Sequence, residues 1–183
     1  MEGILDLPEY QHLREGEDVR QRQIVNLAHP ETLTLLKETI DELCGVFPDP
    51  IFFIATDECL DLGTGKSKGE AALIGQGGLF TGHLKRLREI LLKRGRRAAI
   101  SPDPIEPGFF KNFGLDNFPE EYLLRTPRDI IFAPWHYGRM ETYPFGEWLR
   151  EQGIDQILWG ATAHSSGLFP NVAEAAENAF TFM

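Results

Sequence analysis

The sequence predicts an α/β fold in which βα units lie on a parallel sheet. Three observations carry this. Helical and strand patterns alternate along the chain in the order helix, strand, helix, strand, loop, strand, helix, strand, helix. The strand candidates are short continuous apolar runs, not alternating ones, as in strands covered on both faces. The helix candidates each carry one apolar face.

The first helix follows Pro30-Glu31, where Leu33, Leu36, Ile40 and Leu43 recur at helical spacing, so it spans about 31–45 and ends before Pro48 and Pro50. Ile51-Phe52-Phe53-Ile54-Ala55 is a strand buried on both faces. From Asp57 to Gly78 the chain is polar and glycine-rich, a loop. Phe80, Leu84, Leu87 and Leu91 mark a second helix, with basic residues in its last turns and Gly95 as its stop. Ala98-Ala99-Ile100 is a second strand, and Pro102 to Pro127, with five prolines, is a long loop with one helical turn near Glu120-Tyr122. Ile130 to Pro134 is a third strand, Phe145 to Gln152 a helix stopped by Gly153, Ile157-Leu158-Trp159 a fourth strand, and 171–180 a last helix.

Composition limits what such a chain does. With 183 residues, 42% of them hydrophobic, it is a single domain. Eighteen Lys and Arg against 28 Asp and Glu give a net charge of −10, which disfavours nucleic acid and anionic membrane surfaces as partners. Cys44 and Cys59 are too few for a disulfide framework, and the five histidines, His12, His29, His83, His136 and His164, show no metal-ligand spacing, so neither a metal nor another cofactor is expected. No segment approaches the roughly 20 apolar residues of a membrane span. The acidic start Met1-Glu2-Gly3 lacks the layout of a signal peptide, so as given the chain reads as soluble and cytoplasmic.

Parallel sheets place their chemistry at the carboxyl ends of the strands. Those ends carry Thr56-Asp57-Glu58, Ser101-Pro102-Asp103, Trp135-His136-Tyr137 and Gly160-Ala161-Thr162, with His164 close behind. Carboxylates beside aromatic rings suit a sugar, whose C–H faces stack on rings and whose glycosidic oxygen needs a proton donor. Adjacent Asp57 and Glu58 reach one site only where the strand ends and bends, because successive strand side chains point to opposite faces. Sequence neighbours straddle a sugar ring poorly. They suit a substrate-assisted reaction, in which an acetamido oxygen attacks the anomeric carbon while one carboxylate orients the amide and the other protonates the leaving oxygen. A solvated Asp-Glu pair at a strand terminus is the plain alternative.

At these residues the sequence resembles glycoside hydrolase family 20. Phe52 to Glu58 is similar to that family's His-x-Gly-x-Asp-Glu motif, Asn26 to Thr32 resembles the segment leading into it, and Cys59 to Ser67 is similar to a subgroup continuing as Asp-Leu-Gly-x-Gly. Trp135-His136-Tyr137-Gly138 resembles the sixth-strand Trp-x-Tyr, and Phe169-Pro170-Asn171 through Asn178 the segment after the seventh strand. The resemblance covers most of 26–180 and implies a (β/α)8 TIM-barrel fold, incomplete, with strands four to seven recognisable and residues 1–183 forming one partial barrel domain. Open sheet edges in such a piece would favour self-association.

The resemblance also implies an activity, hydrolysis of terminal N-acetylhexosamine from glycans, with N-acetylglucosamine or N-acetylgalactosamine glycans as partners. It makes Asp57 the residue orienting the acetamido group, Glu58 the general acid and then base, and Tyr137 a hydrogen-bond donor to the acetamido carbonyl. Trp135 walls the sugar pocket and Asp103 falls near a fifth-strand acidic position contacting sugar hydroxyls; His136 and His164, which follow strand ends, and Trp159, the last residue of the fourth strand, are further binding candidates. Partial burial of Glu58 beside Asp57 would help it hold a proton. Departures from the pattern are Phe53 at the motif histidine and Ile100-Ser101-Pro102 where the family has a fifth-strand tryptophan. They keep open a second function class, a non-catalytic carbohydrate-binding or degenerate barrel of the same family.

Three motifs have plainer readings. Gly63-Thr64-Gly65-Lys66-Ser67 ends like a Walker A loop, but Leu60 stands where its first glycine belongs, so a flexible flap over the strand ends is preferred. Lys93 to Arg97 closes a helix as a solvated basic end. Cys59 beside two carboxylates is an inert thiol.

Overall fold

A computed structural model describes residues 2–135 and 142–157. The N-terminal segment contains α1 (Glu2–Leu5) and two 3-10 turns at Gln11–Leu13 and Gln21–Gln23, and Arg14 pairs antiparallel with Val25. Helix α2 (Pro30–Val46) starts where Pro30 sets the first helical position and His29 Nδ1 accepts the Glu31 N–H at 3.3 Å. It packs two ways. Leu35 closes a small cluster with Leu5, Leu13 and Val25, while Ile40, backed by Leu33 and Leu36, joins the main core. Leu43, read as part of the buried face, is exposed.

Strands β1 (Ile51–Phe53), β2 (Arg97–Ile100) and β3 (Ile131–Phe132) form a parallel sheet in that order, with Phe52 opposite Ala98 and Ile100 opposite Phe132. The parallel order continues past β3: Phe132 bridges Gln156, and the Ile157 N–H donates to the Phe132 carbonyl at 2.8 Å. The predicted fourth strand is thus met at its first residue, and its remainder and the predicted helix over 171–180 lie outside the described residues. β1 departs from expectation. Ile51 is 40% exposed and Phe52 and Phe53 are half-buried, because among the described residues β1 is an edge strand with β2 on one side only. β2, between two strands, is buried from Ala98 to Ile100.

Helix α4 (Gln76–Leu92) covers the sheet with Phe80, Leu84, Leu87 and Leu91, the residues whose spacing predicted it. The preceding stretch, read as loop, holds an additional helix, α3 (Lys68–Ile74), separated from α4 by Gly75. The loop between β2 and β3 is largely buried at its start, from Ser101 to Glu106, where the Ile105 and Glu106 N–H groups both donate to the Pro102 carbonyl at 2.8 Å. It then forms a 3-10 turn (Phe109–Phe113) and α5 (Glu120–Arg125), the predicted single turn. α5 sets the Tyr122 ring over the start of α4, its hydroxyl donating to the Ile74 carbonyl at 3.0 Å. A Cβ at Gly77 would meet that ring at 2.2 Å, so the position needs glycine. Helix α6 (Pro144–Glu151) follows β3.

The basic run is more than a solvated helix end. Arg94 pairs with Asp41 of α2, Arg96 donates to the Asp49, Cys44 and Phe47 carbonyls around the end of that helix, and Arg97 pairs with Asp155 at 2.8 Å. Cations thus meet the carbonyl end of α2, where its dipole is negative. Among the described residues no helix is long and apolar enough to cross a membrane.

Candidate active site

The strand-end rim is built by the chain leaving β1. The Ile54 N–H still donates to the Ala99 carbonyl at 2.8 Å, and then the backbone turns sharply: Ala55 and Glu58 both adopt left-handed conformations, at φ 54° and 53°. Such residues cost on the order of 1–3 kcal/mol each and persist where the surroundings hold them. Two contacts do so. Thr56 Oγ1 donates to the Ser101 carbonyl at 2.8 Å, and the Glu58 N–H donates to Asp103 Oδ2 at 2.8 Å, so the end of β2 grips the bend after β1. The bend expected at the adjacent carboxylates is therefore present.

Asp103 is the centre of this arrangement. It is 1% exposed, its Oδ1 accepts the Trp135 Nε1–H at 3.2 Å, and its backbone carbonyl accepts from Asn117 Nδ2 at 2.5 Å. Burial pushes its carboxyl up to about 7, the Asp57 charge adds to this, and the Glu58 and Trp135 N–H groups oppose it. Asp57 and Glu58 are exposed. The burial expected of Glu58 falls on Asp103 instead, because the left-handed turn directs the motif pair outward and leaves the β2 carboxyl beneath it.

Asp57, Glu58 and Trp135 line one cavity of about 520 Å³. Phe109 and Phe110 join them, Phe109 meeting the Trp135 ring edge-on at 4.8 Å between centroids. Leu36, Leu84, Leu87 and His83 form an apolar side, and burial, then the charge of Arg86, pushes the His83 imidazole down to about 4, so it is neutral at pH 7. Arg20 and Asp61, paired at 2.9 Å, complete the polar lining. Cys59 Sγ donates to the Thr56 carbonyl at 3.4 Å, and burial with the charges of Asp103 and Asp57 pushes its thiol up, in keeping with an inert group.

Of the residues singled out from the sequence, four are thus described: Asp57, Glu58 and Trp135 share the cavity, and Asp103 lies behind it, joined to Glu58 and Trp135. Tyr137, His136, Trp159 and His164 lie outside the described residues. Phe109, Asn117 and Arg20 were not picked out, since nothing in their local spacing links them to the motif.

The Gly63-to-Ser67 loop is pinned, contrary to the flap expected. Glu15, fully buried, accepts the Gly65 N–H at 2.9 Å and the Ser67 N–H at 3.2 Å through Oε1 and the Ser67 hydroxyl at 2.7 Å through Oε2; its carbonyl accepts the Lys66 N–H at 2.7 Å. The chain's own carboxylate takes the N–H groups that a phosphate would need. A Cβ at Gly65 would meet that carbonyl oxygen at 2.2 Å, which accounts for the glycine.

Comparison with solved structures gives the fold class. The chain is similar to a chitobiase from Flavobacterium johnsoniae, with a TM-score of 0.59 and 16% identity over 96% of this chain and 28% of that one. It is likewise similar to the glycoside hydrolase family 20 exo-β-N-acetylglucosaminidase from Vibrio harveyi in complex with N-acetylglucosamine, with a TM-score of 0.58 and 19% identity over 82% of this chain and 23% of that one. The chain spans about a quarter of the length of these enzymes. No family profile and no curated protein sequence matches it. At these identities the likeness shows the fold alone: a mixed α/β chain with a small parallel sheet, similar to family 20 barrel enzymes and without the complete barrel among the described residues.

Proposed function

We propose that the rim formed by Asp57 and Glu58 is part of an N-acetylhexosamine site of the substrate-assisted, retaining kind. The observation that carries this is the placement of two sequence-adjacent carboxylates at the carboxyl end of a parallel strand, beside the Trp135 and Phe109 rings in one cavity. In this reading the substrate's acetamido oxygen attacks the anomeric carbon as the glycosidic C–O bond breaks. Glu58 gives its proton to the leaving oxygen, and Asp57 hydrogen-bonds the acetamido N–H and balances the developing charge. A water then adds to the anomeric carbon, returning its proton to Glu58 and restoring the acetamide. Trp135 walls the sugar, Tyr137 holds the acetamido carbonyl, and His136, Trp159 and His164 supply further contacts.

Asp103 is best read as a positioning residue. Both of its oxygens accept protein N–H groups, one of them the backbone N–H of Glu58 itself. It fixes where the general acid stands, in place of the direct hydroxyl contact that the resemblance implied.

A second reading is favoured by the exposure of Asp57 and Glu58, which leaves the pair well solvated: sugar binding without turnover. Two substrates distinguish these readings. The chain is expected to release nitrophenol from nitrophenyl N-acetyl-β-glucosaminide and not from nitrophenyl β-glucoside, which lacks the participating amide. Equal turnover of the two refutes substrate assistance, and calorimetric binding of N-acetylglucosamine with no turnover of either establishes the second reading.

A further inference from the structure

Away from this rim, His12, His29 and Glu31 come together where the N-terminal segment meets the first turn of α2, one ligand atom from each lying within 4.8 Å of the others. We propose that they form a binding site for a divalent transition-metal ion of the zinc type, with two imidazole nitrogens and one carboxylate oxygen as ligands and water completing the shell. Sequence spacing gave no sign of it, because His12 and His29 belong to different stretches of chain.

The donor set selects the class of ion. Imidazole suits zinc, nickel and copper, whereas magnesium and calcium take oxygen ligands, and two histidines with one carboxylate is a set that zinc accepts with a position left open. The geometry is close to closed. His12 Nε2 lies 2.8 Å from Glu31 Oε2, and the two rings stand edge to face with centroids 5.3 Å apart. Ligands about 2.0–2.1 Å from a tetrahedral zinc stand roughly 3.3 Å from one another, so no separation has to shrink by more than about 1.5 Å. The His12 and Glu31 side chains are 49% and 66% exposed and free to rotate by that much.

The backbone beneath them is held. His29 is the N-cap of α2, Glu31 sits in its first turn, and the His12 carbonyl accepts from Lys66 Nζ at 3.1 Å. The ion takes the place of the proton between His12 and Glu31: a charged His12 releases it to solvent, and a neutral one carries its remaining proton on Nδ1. His29 offers one ring nitrogen; its Nδ1 accepts the Glu31 N–H at 3.3 Å, a bond that stays in place when Nε2 is the ligand and is given up when Nδ1 is. Bound metal would thereby clamp the N-terminal segment to α2.

The full chain, stripped with a chelator, is titrated with zinc chloride by calorimetry and with cobalt(II) by visible absorption. One equivalent of zinc is expected to bind, and His12→Ala, His29→Ala and Glu31→Gln each to weaken it at least tenfold with unchanged far-UV circular dichroism. Asp57→Asn is expected to leave zinc affinity unchanged. At a hundredfold excess over Kd, zinc should raise Tm by about 5–10 °C. Absence of saturable binding, or equal affinity in the His12→Ala/His29→Ala double variant, overturns the proposal.

Discussion

Replacing Glu15 tests how the glycine-rich loop is held. In Glu15→Leu three donors lose their acceptor: the N–H of half-buried Gly65, at 2.9 Å, and the N–H and hydroxyl of buried Ser67, at 3.2 and 2.7 Å. Each buried donor left unpaired costs about 1–3 kcal/mol, and relief of the carboxylate's own desolvation offsets part of the sum, leaving a net loss of roughly 3–5 kcal/mol. Glu15→Gln is the control. Its Oε1 can still accept both N–H groups and its amide can donate to Ser67 Oγ, so only charge assistance is lost, about 1 kcal/mol. Urea unfolding followed by circular dichroism reads both variants, and the midpoint should fall at unchanged slope. The refuting result is a Leu variant within about 1 kcal/mol of the Gln variant, because the loop would then not depend on Glu15 as an acceptor.

The shelf under Tyr122 gives a second expectation: Gly77→Ala forces a Cβ to within 2.2 Å of the ring. Overpacking of about 1–3 kcal/mol outweighs the helix-propensity gain of about 0.5–1, so Tm should drop by a few degrees in a thermal scan, and a rise would contradict the packing. Asp103 makes stability pH-dependent. Its folded value of about 7 lies above the ordinary 3.8, so its contribution is fully present below about pH 4 and is lost as pH rises through 7. In unfolding measurements from pH 4 to pH 8, Asp103→Asn should remove a decline of about 2–4 kcal/mol. A carboxyl carbon-13 titration of Asp103 with a midpoint below 5 would refute this.

Much of the fold was legible because its helices and strands follow hydrophobic period. The α4 face of Phe80, Leu84, Leu87 and Leu91 and the parallel order of the strands are as read. What escaped depends on contacts distant in sequence. The N-terminal segment has little periodicity, and Glu15 acquires meaning only from Gly65 and Ser67, some fifty residues on. Helix α3 was hidden by flanking glycines. The exposure of Ile51 could not be read from an apolar run, since burial depends on a neighbouring strand and not on the run itself. At the site, Asp57, Glu58, Asp103 and Trp135 were visible as strand-end residues, whereas the burial of one carboxylate and the exposure of the other two were not. Which of the three is buried is set by the left-handed turn at Glu58, which exposes that side chain and places its N–H on the buried Asp103.

The central claim is that Glu58 supplies the proton for glycosidic cleavage. The most direct measurement is the kcat of Glu58→Gln against the unaltered chain on nitrophenyl N-acetyl-β-glucosaminide, with N-acetylglucosamine affinity measured in parallel. A fall of about 10²–10⁴ in kcat with affinity retained is the predicted result. Turnover equal to that of the unaltered chain would contradict it.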